Sequence, residues 1–351
     1  MLNRSRNRVG LWATVVGLVL LLLTACGGDQ GGQADASSEV STADSITLGY
    51  ATCAHCLPMS LTPDYVEDID VEATSFASGN DVLTALVSGS LDVAQVTYLH
   101  YITALDKGFD LVAISGQING GSEIVVGNDV PLEADDWDGF KELIEEHKQS
   151  GEKFRVAASR GNAQDIHMRG EFMLHGIDPV EDLEIINIAN PADHASALES
   201  GEVDMISTVE PFASQIRLSE AGKHFVYPYE QDAGNLTNLI VTRSDVIEEK
   251  EDAIYEVVDG VVNLVDGLEA DPELWVDVLG ENTSLSEEVS REALENSFPD
   301  YQMHLEETLA IANMMEELNY IQSDVTEEAE ANMDYRFIEQ ATGKSAEELG
   351  K

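Results

Sequence analysis

SGNDVLTALVSGSLDVAQVTY, residues 78–98, reads as a cap, a helix, a turn and a strand in succession. Ser78 and Asn80 are cap-type residues, and Gly79 between them allows close approach of the backbone. Asn80–Val87 is a helix ended by Gly89, and Leu91–Thr97 is a short apolar strand. The same alternation runs outward in both directions. Ile46–Tyr50 (ITLGY) is a strand before it. After it come a helix at His100–Lys107, closed by Gly108, and strands at Leu111–Ile114 and Ser122–Val126. A second series follows: helix Trp137–Gln149, strand Phe154–Ala158, helix Ala163–Leu174, strand Leu183–Ile188, helix His194–Glu199, strand Val203–Thr208 and helix Pro211–Glu220. Strands at Phe225–Tyr229 and Leu236–Thr242 end it. Beyond Ile247 the pattern is helical, near 248–268, 271–279, 286–297, 301–318 and 325–341.

Strands alternating with helices predict parallel sheets covered on both faces. The two series predict two α/β lobes joined by crossing strands. Residues 45–127 and 241–351 form lobe one, with the C-terminal helices packed back on it, and residues 128–240 form lobe two. Such folds place ligands in a crevice at the carboxyl ends of strands.

The N-terminal stretch is of another kind. Arg4, Arg6 and Arg8 precede an apolar run, Val9–Leu23, and then Leu23-Thr24-Ala25-Cys26. A basic head, a short apolar stretch and small residues at the cut make a secretory signal over residues 1–25. The run is short for a membrane span, which takes ~20 residues. Residues 26–44 carry Val40 as their one large apolar residue, so they are expected to be a disordered tether. The chain has 67 acidic and 18 basic residues, a net charge of −49. That balance excludes charge-driven binding to nucleic acid or to an anionic membrane. Acids spread along the whole length point to solubility in a salty habitat. No Ser-His-Asp order, phosphate-loop glycines or HExxH helix is present, which weighs against common hydrolase and nucleotide chemistries.

Four segments in order carry a family resemblance: ITLGY; SGNDVLTALVSGSLDVAQVTY; FRVAASRGNAQDIHMRGEFMLHGIDPVEDLEIINI; and ALESGEVDMISTVEPFASQ. They resemble the solute-binding proteins for nitrate, aliphatic sulfonates, taurine and thiamine-precursor pyrimidines. The resemblance implies the type II periplasmic-binding fold, two hinged lobes closing on a solute, and service to an ABC permease. It implies a non-enzymatic monomer with no cofactor. A pyrimidine-synthesis-like enzyme on the same scaffold is the alternative from another class. Leu23–Cys26 resembles the lipobox of bacterial lipoproteins, which implies cleavage before Cys26, acylation of its sulfur and residence on the outer face of the cytoplasmic membrane.

Two cap-type loops, Ser78-Gly79-Asn80 and Ser159-Arg160-Gly161-Asn162 with Gln164 just beyond, put helix N-termini on opposite lobes. Facing one cleft, they would bind a small anion or a carbonyl-rich ring. Further candidate contacts stand at strand ends: Thr97, Tyr98, Gln117, Glu210 and Asn235. The loop after the first strand, which lines the cleft in the family, adds Thr52 and His55. Arg160 is the one evident cation there, which favours a monoanion or a neutral ring over a dianion. The same loop holds Cys53 and Cys56. An i, i+3 pair in a turn is close enough for a disulfide. Cys53, His55 and Cys56, with Met59 near, also suit a soft metal such as Cu(I) or Zn. Two free thiols are the third reading. Two departures from the family pattern stand out: Leu57–Val71 is short for the usual helix, and Trp137–Lys153 is longer than the usual link.

Overall fold

The computed structural model describes residues 45–351. The expected leader at 1–25, the tether at 26–44 and the acylation site Cys26 lie outside the described residues.

β1 (Ser45–Ala51) leads through a 3₁₀ segment, Leu57–Tyr65, to β2 (Asp70–Phe76), then α1 (Gly79–Val87), β3 (Val93–Thr97), α2 (Tyr98–Asp106) and β4 (Leu111–Gly120). Next come β5 (Ser122–Gly127), α3 (Trp137–Ser150), β6 (Phe154–Ala158), α4 (Ala163–Leu174), β7 (Leu183–Asn187), α5 (His194–Glu199), β8 (Met205–Val209), α6 (Phe212–Leu218) and β9 (Gly222–Val226). The chain returns through β10 (Asn238–Arg243). It closes with α7 (Ser244–Ala270), α8 (Pro272–Asn282), α9 (Glu287–Leu294), β11 (Ser297–Asp300), α10 (Leu305–Glu317), α11 (Thr326–Ala331) and α12 (Arg336–Thr342).

Two sheets result, ordered β11-β4-β10-β3-β1-β2 and β7-β6-β8-β5-β9. Both are mixed rather than parallel. β1 pairs parallel with β2 and β3, but β10 runs antiparallel between β3 and β4. In the second sheet β6 pairs parallel with β7 and β8, while β5 runs antiparallel between β8 and β9. β11 also runs antiparallel, at the edge beside β4. The antiparallel strand inside each sheet, β10 or β5, is the one that has crossed from the other lobe. The crossings also fall earlier than the sequence divides them. β5 belongs to the second sheet from Ser122, so lobe one does not extend to residue 127, and β10 joins the first sheet at Asn238, ahead of residue 241.

The first crossing is made by Gly120 and Gly121, both at positive φ (89° and 79°), a region closed to most side chains. The second lies against it. The Gly120 N–H donates to Asn235 O at 2.8 Å, and the Thr237 hydroxyl donates to Gly120 O at 2.8 Å. The buried Tyr229 hydroxyl accepts from the Ser122 N–H at 2.9 Å and donates to Asn296 Oδ1 at 2.8 Å. Backbone that must turn inside the protein is thereby kept hydrogen-bonded.

Apolar faces of α7, α8, α10 and α12 join the core of the first sheet. α9 and α10 also reach the other lobe, touching α6 and α4. The second sheet packs around Phe140, Phe154, Phe172 and Phe225. Two strands have no counterpart in the sequence reading, β2 and β11. β2 is an edge strand with mostly exposed side chains, so it shows little apolar alternation. The expected helix at 325–341 is broken. Around Met333 the chain pairs with Ala113, which accepts from the Asp334 N–H and donates to Asn332 O.

Candidate functional site

A cavity of about 550 Å³ opens between the lobes. Two larger hollows, of about 770 and 740 Å³, are open surface grooves, one against α10 and one on lobe two. The interlobe cavity differs from them because strand ends and helix N-termini converge on it. Lobe one supplies Ala51–Cys53, His55 and Cys56 after β1, Ala77–Gly79 before α1, Gln95–Thr97 at the end of β3, His100, and Thr237 and Asn238 at the start of β10. Lobe two supplies Ser122, Asn162–Gln164, Ala189–Pro191, Val209 and Phe212.

The loop after β1 is fixed from behind. Cys53 and Cys56 are joined by a disulfide, with Cα atoms 4.9 Å apart. The buried Trp275 of α8 donates its indole N–H to Ala54 O at 2.8 Å. The His55 carbonyl accepts from the side-chain amides of Gln95 and Asn238, both at 3.3 Å. Gln95 also donates to Gln117 Oε1 at 2.8 Å. The His55 ring lies over Gly121, where a Cβ would meet Nδ1 at 2.6 Å.

α1 and α2 present capped N-termini. Ser78 Oγ accepts from the Asp81 N–H at 3.2 Å. Thr97 Oγ1 accepts from the His100 N–H, and the Thr97 hydroxyl lies 2.9 Å from His100 Nδ1. The Thr97 backbone N–H also donates to Nδ1, at 3.4 Å, so Nδ1 is an acceptor and the Thr97 hydroxyl gives its proton to it. The imidazole therefore carries its own proton on Nε2. That Nε2 is buried with no partner among the described residues. Burial pushes both His55 and His100 down to about 4, so both rings are neutral at physiological pH. Across the cavity, the Ser122 hydroxyl is oriented by His167, whose Nδ1 is 2.9 Å away and whose Nε2 donates to Leu236 O at 2.8 Å. Asn162 occupies the N-cap of α4, yet its side chain makes no capping hydrogen bond, so its amide stays available to the cavity. Among the described lining residues no side chain is charged.

A model of the NMT1-like family matches residues 41–274. The chain belongs to the NMT1-like family. A curated relative is the binding protein YtlA of Bacillus subtilis, 28% identical over 177 residues; the chain spans about half (48%) of that protein's length, and the match covers 48% of the chain. Among solved structures, the nitrate-binding protein NrtA of Synechocystis superposes with a TM-score of 0.71 at 16% identity, covering 87% of this chain and 91% of that one. The ligand-binding component of an ABC-type import system from Staphylococcus aureus, solved with zinc bound, gives 0.70 at 15% identity, covering 86% and 100%. These likenesses show the periplasmic-binding fold.

In this NMT1-like chain the cavity gathers Thr52, His55, Ser78, Gly79, Thr97, Asn162 and Gln164 from the residues singled out by sequence. Seven others stand off its wall. Asn80 is an exposed residue of α1. Tyr98 is 1% exposed in the lobe-one core, because the helix begins at it and turns its ring inward. Gln117 stands behind Gln95. The Ser159 hydroxyl donates to Ile188 O. Arg160 lies over the Tyr320 ring at 5.1 Å. Asn235 accepts at the hinge from Gly120. Glu210 is fully buried, accepts from the Ser214 N–H at 3.1 Å and faces Arg217 at 3.5 Å. Burial and then the neighbouring Glu123 push its carboxyl up to about 7. Sequence reasoning missed Gln95, His100, Ser122, Asn190, Phe212, Thr237 and Asn238. Gln95, inside an apolar strand, was the legible signal: a polar side chain there needs a partner or a ligand.

Proposed function

We propose that this chain is the solute-capturing component of an ABC importer, and that its solute is a small polar molecule, uncharged or singly negative, held by closure of the two lobes. The observation that carries the reading is an interlobe cavity lined by helix N-termini and neutral hydrogen-bonding side chains, with no charged group. Helix N-termini and the His100 Nε2–H donate to acceptor atoms, the Asn162 and Gln164 amides serve both roles, and Gln95, whose N–H groups go to His55 and Gln117, accepts through its oxygen. A dianion would meet no compensating cation there. Names among the fold neighbours, which are binding proteins for nitrate and for sulfonates, set the classes to try first. Against the reading as an enzyme, the relatives and fold neighbours named above are binding proteins. In the reading that Cys53, His55 and Cys56 hold a soft metal, both sulfurs must first leave their disulfide.

Acylation of Cys26 is part of the proposal, since an exported capture protein must stay near its permease. Cys26→Ser is expected to move the protein from the membrane fraction to the soluble fraction.

Thermal shift in high salt tests the central reading, with nitrate, taurine, alkanesulfonates and hydroxymethylpyrimidines as ligands. A true solute at a hundredfold excess over its Kd adds about 2.7 kcal/mol to stability. Asn162→Ala with Gln164→Ala is expected to abolish that shift. Silence toward every small organic solute and oxoanion would remove the proposal.

A further inference from the structure

At the opposite end of α4 from the cleft, the helix meets the segment that returns from β9 to β10. Glu171 lies in the last turn of α4 and His175 caps its C-terminal end, so the two stand on one face. Glu230 comes to them from the returning segment. One ligand-type atom from each of the three lies within 4.8 Å of the others. Glu171 is fully buried. Its Oε2 accepts from the Glu230 and Gln231 N–H groups at 3.1 and 3.3 Å. Its Oε1 and the Nε2 of His175 are both shut off from solvent, and neither has a hydrogen-bond partner among the described residues. They face each other at 3.4 Å.

That distance separates two readings. A charge-assisted N–H···O bond is ~2.7–2.9 Å long. Two ligand atoms on a tetrahedral ion with bonds of about 2.0–2.1 Å stand about 3.3–3.4 Å apart. Trp137 stacks flat on the His175 ring, with centroids 3.7 Å apart and planes 8° from parallel, which fixes the imidazole's rotation. Asp135 adds negative charge within electrostatic reach of Glu171 and His175, and Lys141 opposes it at His175.

We propose that Glu171, His175 and Glu230 form a site for one divalent transition-metal ion of the zinc class, on lobe two and separate from the solute cleft. One imidazole and two carboxylates are a donor set that suits zinc, whereas magnesium and calcium take oxygen ligands. Glu230 is exposed, so the fourth position opens to water. An ion here ties α4 to the returning segment, whose Tyr229 hydroxyl holds the crossing at Ser122. The site therefore steadies the hinge and does not depend on what the cleft binds.

Trp137 is a built-in reporter. The metal-free full chain is titrated with zinc chloride at about 1 M NaCl, where a screening length of ~3 Å suppresses diffuse binding to surface carboxylates. Calorimetry and tryptophan emission are read together. The expected result is one-to-one binding with a saturable emission change. Affinity falls at least about tenfold in His175→Ala and in Glu230→Gln, and magnesium gives no saturable signal. Glu230→Gln alters an exposed residue, so it keeps the proposal testable if His175→Ala fails to fold. Cys53→Ser with Cys56→Ser leaves zinc binding intact. The proposal is overturned if the wild-type chain binds no stoichiometric zinc, if Glu230→Gln binds as wild type, or if the cysteine variant loses the ion.

Discussion

The two imidazoles at the cleft set its behaviour with pH. His100 has a pKa of about 4 in the fold, below the ordinary value of 6.5. Between those values the unfolded chain binds more protons than the native one. The His100 contribution to stability is therefore full above about 6.5 and is lost as pH falls toward 4, by up to about 3 kcal/mol. Glutamine at the same N3 position can keep a capping box. We expect the drop in melting temperature between about pH 7 and pH 4.5 to be smaller in His100→Gln than in the wild type; equal drops would show that His100 is not the group lost. Two cap residues should separate stability from binding. Ser78→Ala removes a cap bond and is expected to cost about 1 kcal/mol in denaturant unfolding. Asn162→Ala removes no cap bond. Its unfolding midpoint is expected to stay near wild type while solute affinity falls.

Elements were legible where one residue type dictated local conformation. The helix read from sequence at Ala163–Leu174 is the observed α4, and the strand Phe154–Ala158 is the observed β6. The sequence reading of β4 stopped at Ile114 because Ser115, Gln117 and Asn119 broke the apolar pattern, yet all three are buried, Ser115 and Asn119 against the chain around β11 and Gln117 against Gln95. That packing gives a sharp test. A Cβ on Gly116 would lie 2.2 Å from Gln302 O and 2.8 Å from Asp300 O, both backbone atoms that cannot swing aside. Gly116→Ala is expected to destabilise the fold by about 2–3 kcal/mol, read from the shift in denaturant midpoint. A near-neutral result would mean that β11 does not press on β4 in solution.

Across the whole molecule, the lobes meet through a few polar ties beside the hinge. Arg217 of α6 pairs with Glu292 of α9, and Tyr320 donates to the buried Asp165 of α4. Around them lies a surface dominated by acids. At low salt those charges repel over ~10 Å, and at about 1 M salt over only ~3 Å. The melting temperature is expected to rise with sodium chloride over that range, because screening relieves self-repulsion in the compact state. A flat or falling curve would contradict the habitat reading of the composition.

By itself the sequence determined the alternation of strands and helices, the two-lobe α/β class and the cap-type loops at Ser78 and Asn162. Those follow from local periodicity and from residues whose preferences act within a few positions. Only the tertiary structure decided which strand crosses into which sheet, and that Tyr98, Arg160 and Glu210 turn away from the cleft while Gln95, His100 and Ser122 face it. It also decided that Glu171, His175 and Glu230 meet. Side-chain direction and long-range pairing depend on what packs behind each residue, and segments far apart in the chain supply that packing.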